Sequence, residues 1–313
     1  MTFVSCNEET LYDGPCKVRF VAEVQDEVSV TRATTPGYTK LTPSEDFNAG
    51  LYVSYGATAQ PYTMSWDDNS KLSANLWLET GDYKFYGYAP ASQQDGASFD
   101  NSNKILTISN VSGLSSTDLL VIKPCSKEIA TSDISSGTKN VSLQMDHLMA
   151  KITPQFYINS DYNQLRDIRI KEVELFFESA PTYTATVTYT NTSYSVAWPS
   201  SDTSAKTTLT AFSTTNPTNL TNAATAHGHC YIVPDQDITN LKMTVKYDVY
   251  DKKRQLVRQD ATATNKVVVK VNSTTKTKLE AGKNYKLKIQ IIPTYLYVLS
   301  DNDESSVLVI PNN

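Results

Sequence analysis

Glycine and histidine are scarce in this chain, at 11 and 3 of 313 residues. So few glycines leave little room for loops that cradle phosphate on bare backbone, and no P-loop or GxGxxG run occurs. GxSxG and HExxH are also missing, and with them two common settings for a serine nucleophile or a helical zinc site. The chain is therefore read as non-enzymatic, with no cofactor. Its four cysteines, Cys6, Cys16, Cys125 and Cys230, form no CxxC pair, which argues against a disulfide framework. Free structural thiols are expected, with a Cys16–Cys125 bridge left open. No run of about 18 apolar residues exists to cross a membrane as a helix. With 28 basic against 33 acidic residues, the chain lacks the basic footprint of a nucleic-acid binder.

What remains is abundant Ser, Thr and Asn together with 19 tyrosines, a composition suited to pleated, half-buried surfaces. Apolar residues alternate with polar ones almost throughout. Val18, Phe20, Ala22 and Val24 share one face of a first strand, and similar runs recur at 51–55, 76–78, 83–88, 105–108 and 119–122. The later runs are longer: 168–177, 183–189, 194–198, 241–250 and 267–271, with Thr/Ser/Asn loops expected at 200–206 and 214–226. Helical periodicity is minor. Many short strands parted by turns predict an all-β fold, and the length suits two domains. The expectation is two Ig/transthyretin-like Greek-key β-sandwich domains in tandem. Their predicted limits are a tail at 1–16, domains at 17–148 and 149–293, and appended strands at 294–313. The boundary falls in the unusually long apolar run 141–152, which Pro154 ends.

Several segments carry a resemblance. FVSCNEE at 3–9 looks like the end of a bacterial lipoprotein signal, although the stretch before Cys6 is too short for a secretory h-region. That implies a late start at Met1 or a trimmed sequence. Thr31-Arg32-Ala33 follows the first strand. GDYKFYGYAP stands at 81–90, MDHLMAKI at 145–152, CYIVP at 230–234 and LEAGKNYKLKI at 279–289. Their order and spacing resemble the Bacteroidales fimbrillins, lipoprotein-type subunits of type V pili, including the Mfa-like relatives.

The resemblance implies export as a lipoprotein acylated at Cys6 and held at the outer membrane. An Arg-specific or trypsin-like protease would then cut after Arg32, with Lys40 as a weaker alternative. Loss of the strand within 17–30 would open a groove in the N-terminal domain, and an extended segment of another pilus subunit would fill it. The product would be a cell-surface fimbrium serving adhesion to a host protein or glycan, with this chain a stalk or adaptor subunit. Strand addition is physically apt, because an uncovered edge offers unpaired backbone groups beside exposed core side chains. The candidate donor is the tail, with Tyr295, Tyr297, Leu299, Val307 and Val309 as its inserting residues. A final intramolecular hairpin is the other reading of that tail.

Other groups have plainer readings. His227, His229 and Cys230 are the sole metal-like cluster, but their spacing fits no structural zinc pattern and no fourth ligand is near. No metal is assigned there. His147 beside Asp146 is read as a packed or hydrogen-bonded histidine. Trp66, Trp77 and Trp198 could stack on sugars, which defines the alternative function: a surface lipoprotein that binds glycans and does not polymerise.

Overall fold

The computed structural model describes residues 14–29, 36–43, 47–291 and 308–310. Its first strands are β1 (Cys16–Gln25), β2 (Val28–Ser29), β3 (Tyr38–Lys40), β4 (Asn48–Tyr55), β5 (Thr58–Trp66), β6 (Leu72–Ser73), β7 (Trp77–Leu78) and β8 (Gly81–Ala89). Then come β9 (Ala97–Asp100), β10 (Ile105–Ser112), β11 (Leu114–Ser115), β12 (Leu120–Ile129), β13 (Thr138–His147) and β14 (Ala150–Ile158). The chain continues through β15 (Arg166–Tyr189), β16 (Tyr194–Ala197), β17 (Ser200–Ser213), β18 (Thr225–Ala226), β19 (Cys230–Ile232) and β20 (Lys242–Asp251). It ends with β21 (Leu256–Lys266), β22 (Lys270–Val271), β23 (Thr274–Thr275), β24 (Lys283–Ile291) and β25 (Leu308–Ile310). Among the described residues helix is confined to short turns at Ala91–Gly96, Thr131–Ser136 and Ser160–Leu165.

The all-β class is as expected. The N-terminal part, predicted as two packed sheets, is one sheet ordered β13-β12-β8-β4-β5-β6-β1-β3. A further parallel pairing of β1 with β13 closes that path into a ring. Inside it, alternate residues of each strand meet: Val18 and Phe20 from β1, Leu51 from β4, Phe85 from β8, and Val141 and Leu143 from β13.

The other strands form two sheets. One runs β21-β20-β15-β10-β9, with β16 and β17 also on β15; the other runs β11-β19-β14-β24-β2, with β18 on β14 and β25 on β24. They bury a shared core that includes Phe156, Ile170, Leu175, Phe177, Val245 and Ile289. A third cluster joins this pair to the ring. Tyr86, Tyr88 and Val121 point out of the ring onto Leu106, Ile108, Val187 and Tyr189. Because β8 is covered on both faces, its sequence reads as a nearly continuous aromatic block rather than a clean alternation. Asp146 ties the parts together, accepting from Tyr38 Oη at 2.5 Å and Tyr194 Oη at 2.8 Å.

Some boundaries differ from the sequence reading. The runs at 168–177 and 183–189 are one strand, β15, which stays continuous because its ladder with β17 absorbs shifts at Phe177/Ala180 and Pro181/Tyr183. Residues 200–206, expected as loop, belong to β17, whose exposed side chains give no apolar alternation although its backbone pairs with β15. Residues 97–115 leave the ring to pair with β15 and β19. The sequence-predicted boundary at 148 falls between β13 and β14.

Phe20 is 4% exposed and meets Phe85 edge-on at 5.9 Å, so β1 contributes directly to the ring's core. Phe20→Ala should lower the unfolding free energy by about 3–5 kcal/mol. Val21→Ala, on the half-buried outer face, should cost under about 1 kcal/mol. Urea titrations of the two variants check this.

Candidate functional site

The site is built around β1, whose two edges are held unequally. Toward β13 the ladder is unbroken, from Lys17 opposite Thr138 to Val24 opposite Met145. Toward the other side, pairing comes in pieces: Cys16 and Lys17 with β7, Phe20 alone with β6, and residues 23–25 with β3. Single bonds from Val18 N–H to Leu76 O (2.9 Å) and from Leu41 N–H to Ala22 O (2.8 Å) supplement them. A cleft opens where β6 turns away, lined by Arg19, Val21, Lys40, Trp66, Lys71 and Asn140 among others. Arg19 Nε and Trp66 Nε1 are buried there without hydrogen-bond partners. An orphaned buried donor costs about 1–3 kcal/mol, so this is the weak side of the strand.

Just past β1 the chain crosses a polar seam between the ring and the second pair of sheets. His147 Nε2 donates to Gln25 O at 2.7 Å. Lys151 Nζ and Asn284 Nδ2 hold the two oxygens of Glu27 at 2.6 and 3.1 Å. Asp26 N–H donates to Gly37 O at 2.9 Å, and the Asp26 carboxylate accepts from Thr39 Oγ1 at 2.6 Å. Val28 is buried, and β2 lies parallel to the start of β24 at Lys283 and Asn284. Residues 25–29 are thus latched to β13, β14 and β24 at once.

The latch is centred on a buried histidine–carboxylate pair. His147 Nδ1 faces the Asp118 carboxylate while Nε2 faces a carbonyl. Gln25 O can only accept, so Nε2 carries a proton, and the Asp118 carboxylate opposite Nδ1 favours the imidazolium form. Burial opposes that charge, but the Asp118 hydrogen bond and its negative charge outweigh burial and hold His147 above the usual histidine range. Burial pushes the Asp118 carboxyl up, with His147 partly offsetting it.

Cys6 and Arg32 lie outside the described residues, as do Tyr295, Tyr297, Leu299 and Val307. Ser29 and Pro36 are the described residues flanking the Arg32 segment. Val309 pairs with Ile289, so β25 lies antiparallel on β24, on the edge that β2 occupies nearer the seam. Lys40 is exposed but is held in β3 opposite Glu23. Cys16, Cys125 and Cys230 are free thiols.

His227 is packed between Phe156 and Phe212, with Nδ1 against Thr225 O at 2.9 Å, and Cys230 is fully buried. Gly228 has φ +73, and a Cβ there would sit 1.9 Å from Ala211 O, so this tight passage admits only glycine. Among the described residues no group of three or more His, Cys, Asp or Glu side chains is placed to hold a metal. Nor does any helix there have the length and apolarity to cross a membrane. Trp198 is buried and Trp66 partly so, whereas Trp77 is 47% exposed beside Lys17.

Residues 23–307 match the fimbrillin-like family model. The chain belongs to the fimbrillin-like family. No curated protein sequence matches it. A presumptive cell adhesion protein of Bacteroides ovatus is similar in structure, at 10% identity and a TM-score of 0.52 over 95% of this chain and 96% of that one. A fimbrial protein of Bacteroides vulgatus gives 14% and 0.46 over 89% and 94%. The fimbrial anchor protein Mfa2 of Porphyromonas gingivalis gives 11% and 0.32 over 94% and 96%. The Bacteroides ovatus likeness extends to the fold alone, and the other two are too distant to argue from.

In this fimbrillin-like chain the latch is what sequence reasoning missed. His147 stands next to Asp146 in sequence, yet its carboxylate partner is Asp118 and its second partner a backbone carbonyl far back in the chain. A polar residue ending an apolar strand was the available signal.

A raised histidine pKa stabilises the fold fully below the unfolded value, about 6.5, and that stability is lost as pH rises through the folded value. Urea stability should therefore fall as pH is raised from 6.5 through the His147 titration, while His147→Gln should lack that decline. Histidine NMR titration should place His147 above about 6.5.

Proposed function

We propose that this protein is a structural subunit of a type V-like pilus, polymerising by protease-triggered strand exchange and serving cell adhesion. The observation that carries the reading is that β1 closes the ring through one unbroken ladder and one broken edge, immediately upstream of the Arg32 segment. Family membership supports the same assignment. The chain is lipidated at Cys6, held at the outer membrane, and cut after Arg32 by an Arg-specific or trypsin-like protease.

Before cutting, β1 is covalently part of the subunit and cannot be displaced by mass action. Cutting turns residues up to 32 into a separate ligand, so the effective concentration that kept β1 in place is lost. Its departure uncovers the β13 edge and the core side chains that Val18, Phe20 and Ala22 covered. An apolar strand from a neighbour satisfies both, burying roughly 1.5–3 kcal/mol per large aliphatic or aromatic side chain. Such a contact is head-to-tail and does not close, so subunits add indefinitely. The lipidated Cys6 leaves with the excised piece. The glycan-binding alternative keeps one exposed tryptophan, Trp77, because Trp66 and Trp198 are engaged in packing.

Trace trypsin should release a fragment ending at Arg32, and electron microscopy should then show filaments. Arg32→Ala should stay full-length under the same treatment and form at least tenfold less polymer. Equal polymer from Arg32→Ala and wild type would overturn cleavage at this position.

A further inference from the structure

We propose that the cleft beside β1 binds a small molecule carrying several oxyanion groups, a polycarboxylate or polyphosphate, and that the bound anion pins β1 in the ring. Binding stands on the cleft alone, and its effect on assembly rests on the strand-exchange reading.

The cleft has a volume of about 260 Å³, room for an organic anion of several heavy atoms. Three cations from three separate elements line it: Arg19 of β1, Lys40 of β3, and Lys71 in the turn that leads into β6. Residues 17–147 carry 10 basic against 15 acidic residues, so three cations in one concavity are a local excess in an acid-rich half. Among the described residues none of the three side chains forms an ion pair or a hydrogen bond. Arg19 is half-buried, and its Nε is sealed in the wall without a partner. Its two outer nitrogens are the donors left to a ligand, and such a pair takes a carboxylate or phosphate through two parallel bonds. Asn140, beside Arg19 on β13, adds a neutral amide to the lining.

Two carboxylates stand near these cations, and both are engaged elsewhere. Asp67 accepts from the backbone N–H groups of Lys71 and Asn69 at 2.8 and 3.0 Å. Those bonds, with the charges of Lys17 and Arg19, hold its carboxyl below the usual range. Glu23 lies opposite Lys40 in the ladder but accepts from Gln144 Nε2 at 3.3 Å. Neither acid lines the cleft. The three cations therefore repel one another across the broken edge of β1, and an oxyanion among them turns that repulsion into attraction.

The cations also fall on opposite sides of the Arg32 segment. Arg19 would leave with β1, whereas Lys40 and Lys71 would stay in the subunit. An anion held by all three binds the ring that contains β1 and not the ring without it. By linkage it favours the complete ring by the factor 1 + [L]/Kd, about elevenfold at ten times Kd. It acts where the ladder fails, between the pairings of β1 with β6 and with β3. Cut subunits are accordingly held back from assembly while the anion is abundant and released when it is diluted.

The test uses the full chain with citrate and tripolyphosphate, and sodium chloride at matched ionic strength as control. Trp66 lines the cleft, so a saturable change in tryptophan fluorescence reports occupancy, and Trp66→Phe should lose it. The tighter of the two anions names the oxyanion group. Lys71→Gln and Lys40→Gln, both at exposed side chains, should each weaken binding about fivefold or more, whereas Lys127→Gln, outside the cleft, should not. Inorganic phosphate binding as tightly as either would overturn the several-group class. Responses no larger than those to sodium chloride would overturn the site. In protein cut with trace trypsin, with the anion added after the trypsin is inhibited, a concentration ten times Kd should slow filament formation about tenfold. Lys71→Gln should lose that brake. Binding without any slowing would overturn the pinning while leaving the site and strand exchange intact. Cut protein that stays monomeric without the anion would remove strand exchange and the brake with it, with binding still judged on the uncut chain.

Discussion

One strand answers for two edges of the N-terminal sheet. A sheet built from hairpins closes its turns locally, but this ring is completed by the parallel pairing of Cys16–Gln25 with a strand more than a hundred residues away. Closure abolishes the free edges that would otherwise invite pairing with another chain. It also makes the whole ring depend on residues near the start of the chain. Take that strand away and two edges and one core face are exposed together. The packing of the other strands, including the aromatic block of β8, is arranged around a ring that only β1 completes.

The forces on β1 divide by kind. Its inward face contributes non-directional apolar burial, which any strand with suitable alternation could replace. Its outward edge toward β6 and β3 is poorly laddered and borders the unpartnered donors of Arg19 and Trp66. Its end is held by directional, partly buried polar bonds in which His147 and Lys151 meet a carbonyl and a carboxylate. Burial supplies most of the attraction, and the latch supplies register. Without such a fixed point a strand can slip along its neighbour, and a slip of one residue turns every core side chain outward.

Much of the fold was legible from alternation alone, because period 2 is a local property that each strand carries in its own residues. β1, β13, β20 and β24 all show it. Closure was not legible. No feature of residues 17–24 announces a parallel partner at 138–145, since parallel pairing leaves no turn between its members to be recognised. The same limit hid the first half of β17, whose exposed Thr and Ser residues at 200–206 look like loop. At the site, Glu27 and Lys151 read as ordinary surface charges and Asp118 as a turn residue. Only the crossing of β1–β2 beside β13–β14 brings them within bonding distance.

The seam therefore does more than join two halves of the molecule. Both connections across it, between β1 and β2 and between β13 and β14, are two residues long and run side by side. Ring and second sheet pair consequently share a polarity: strands approach the seam on one side and leave it on the other.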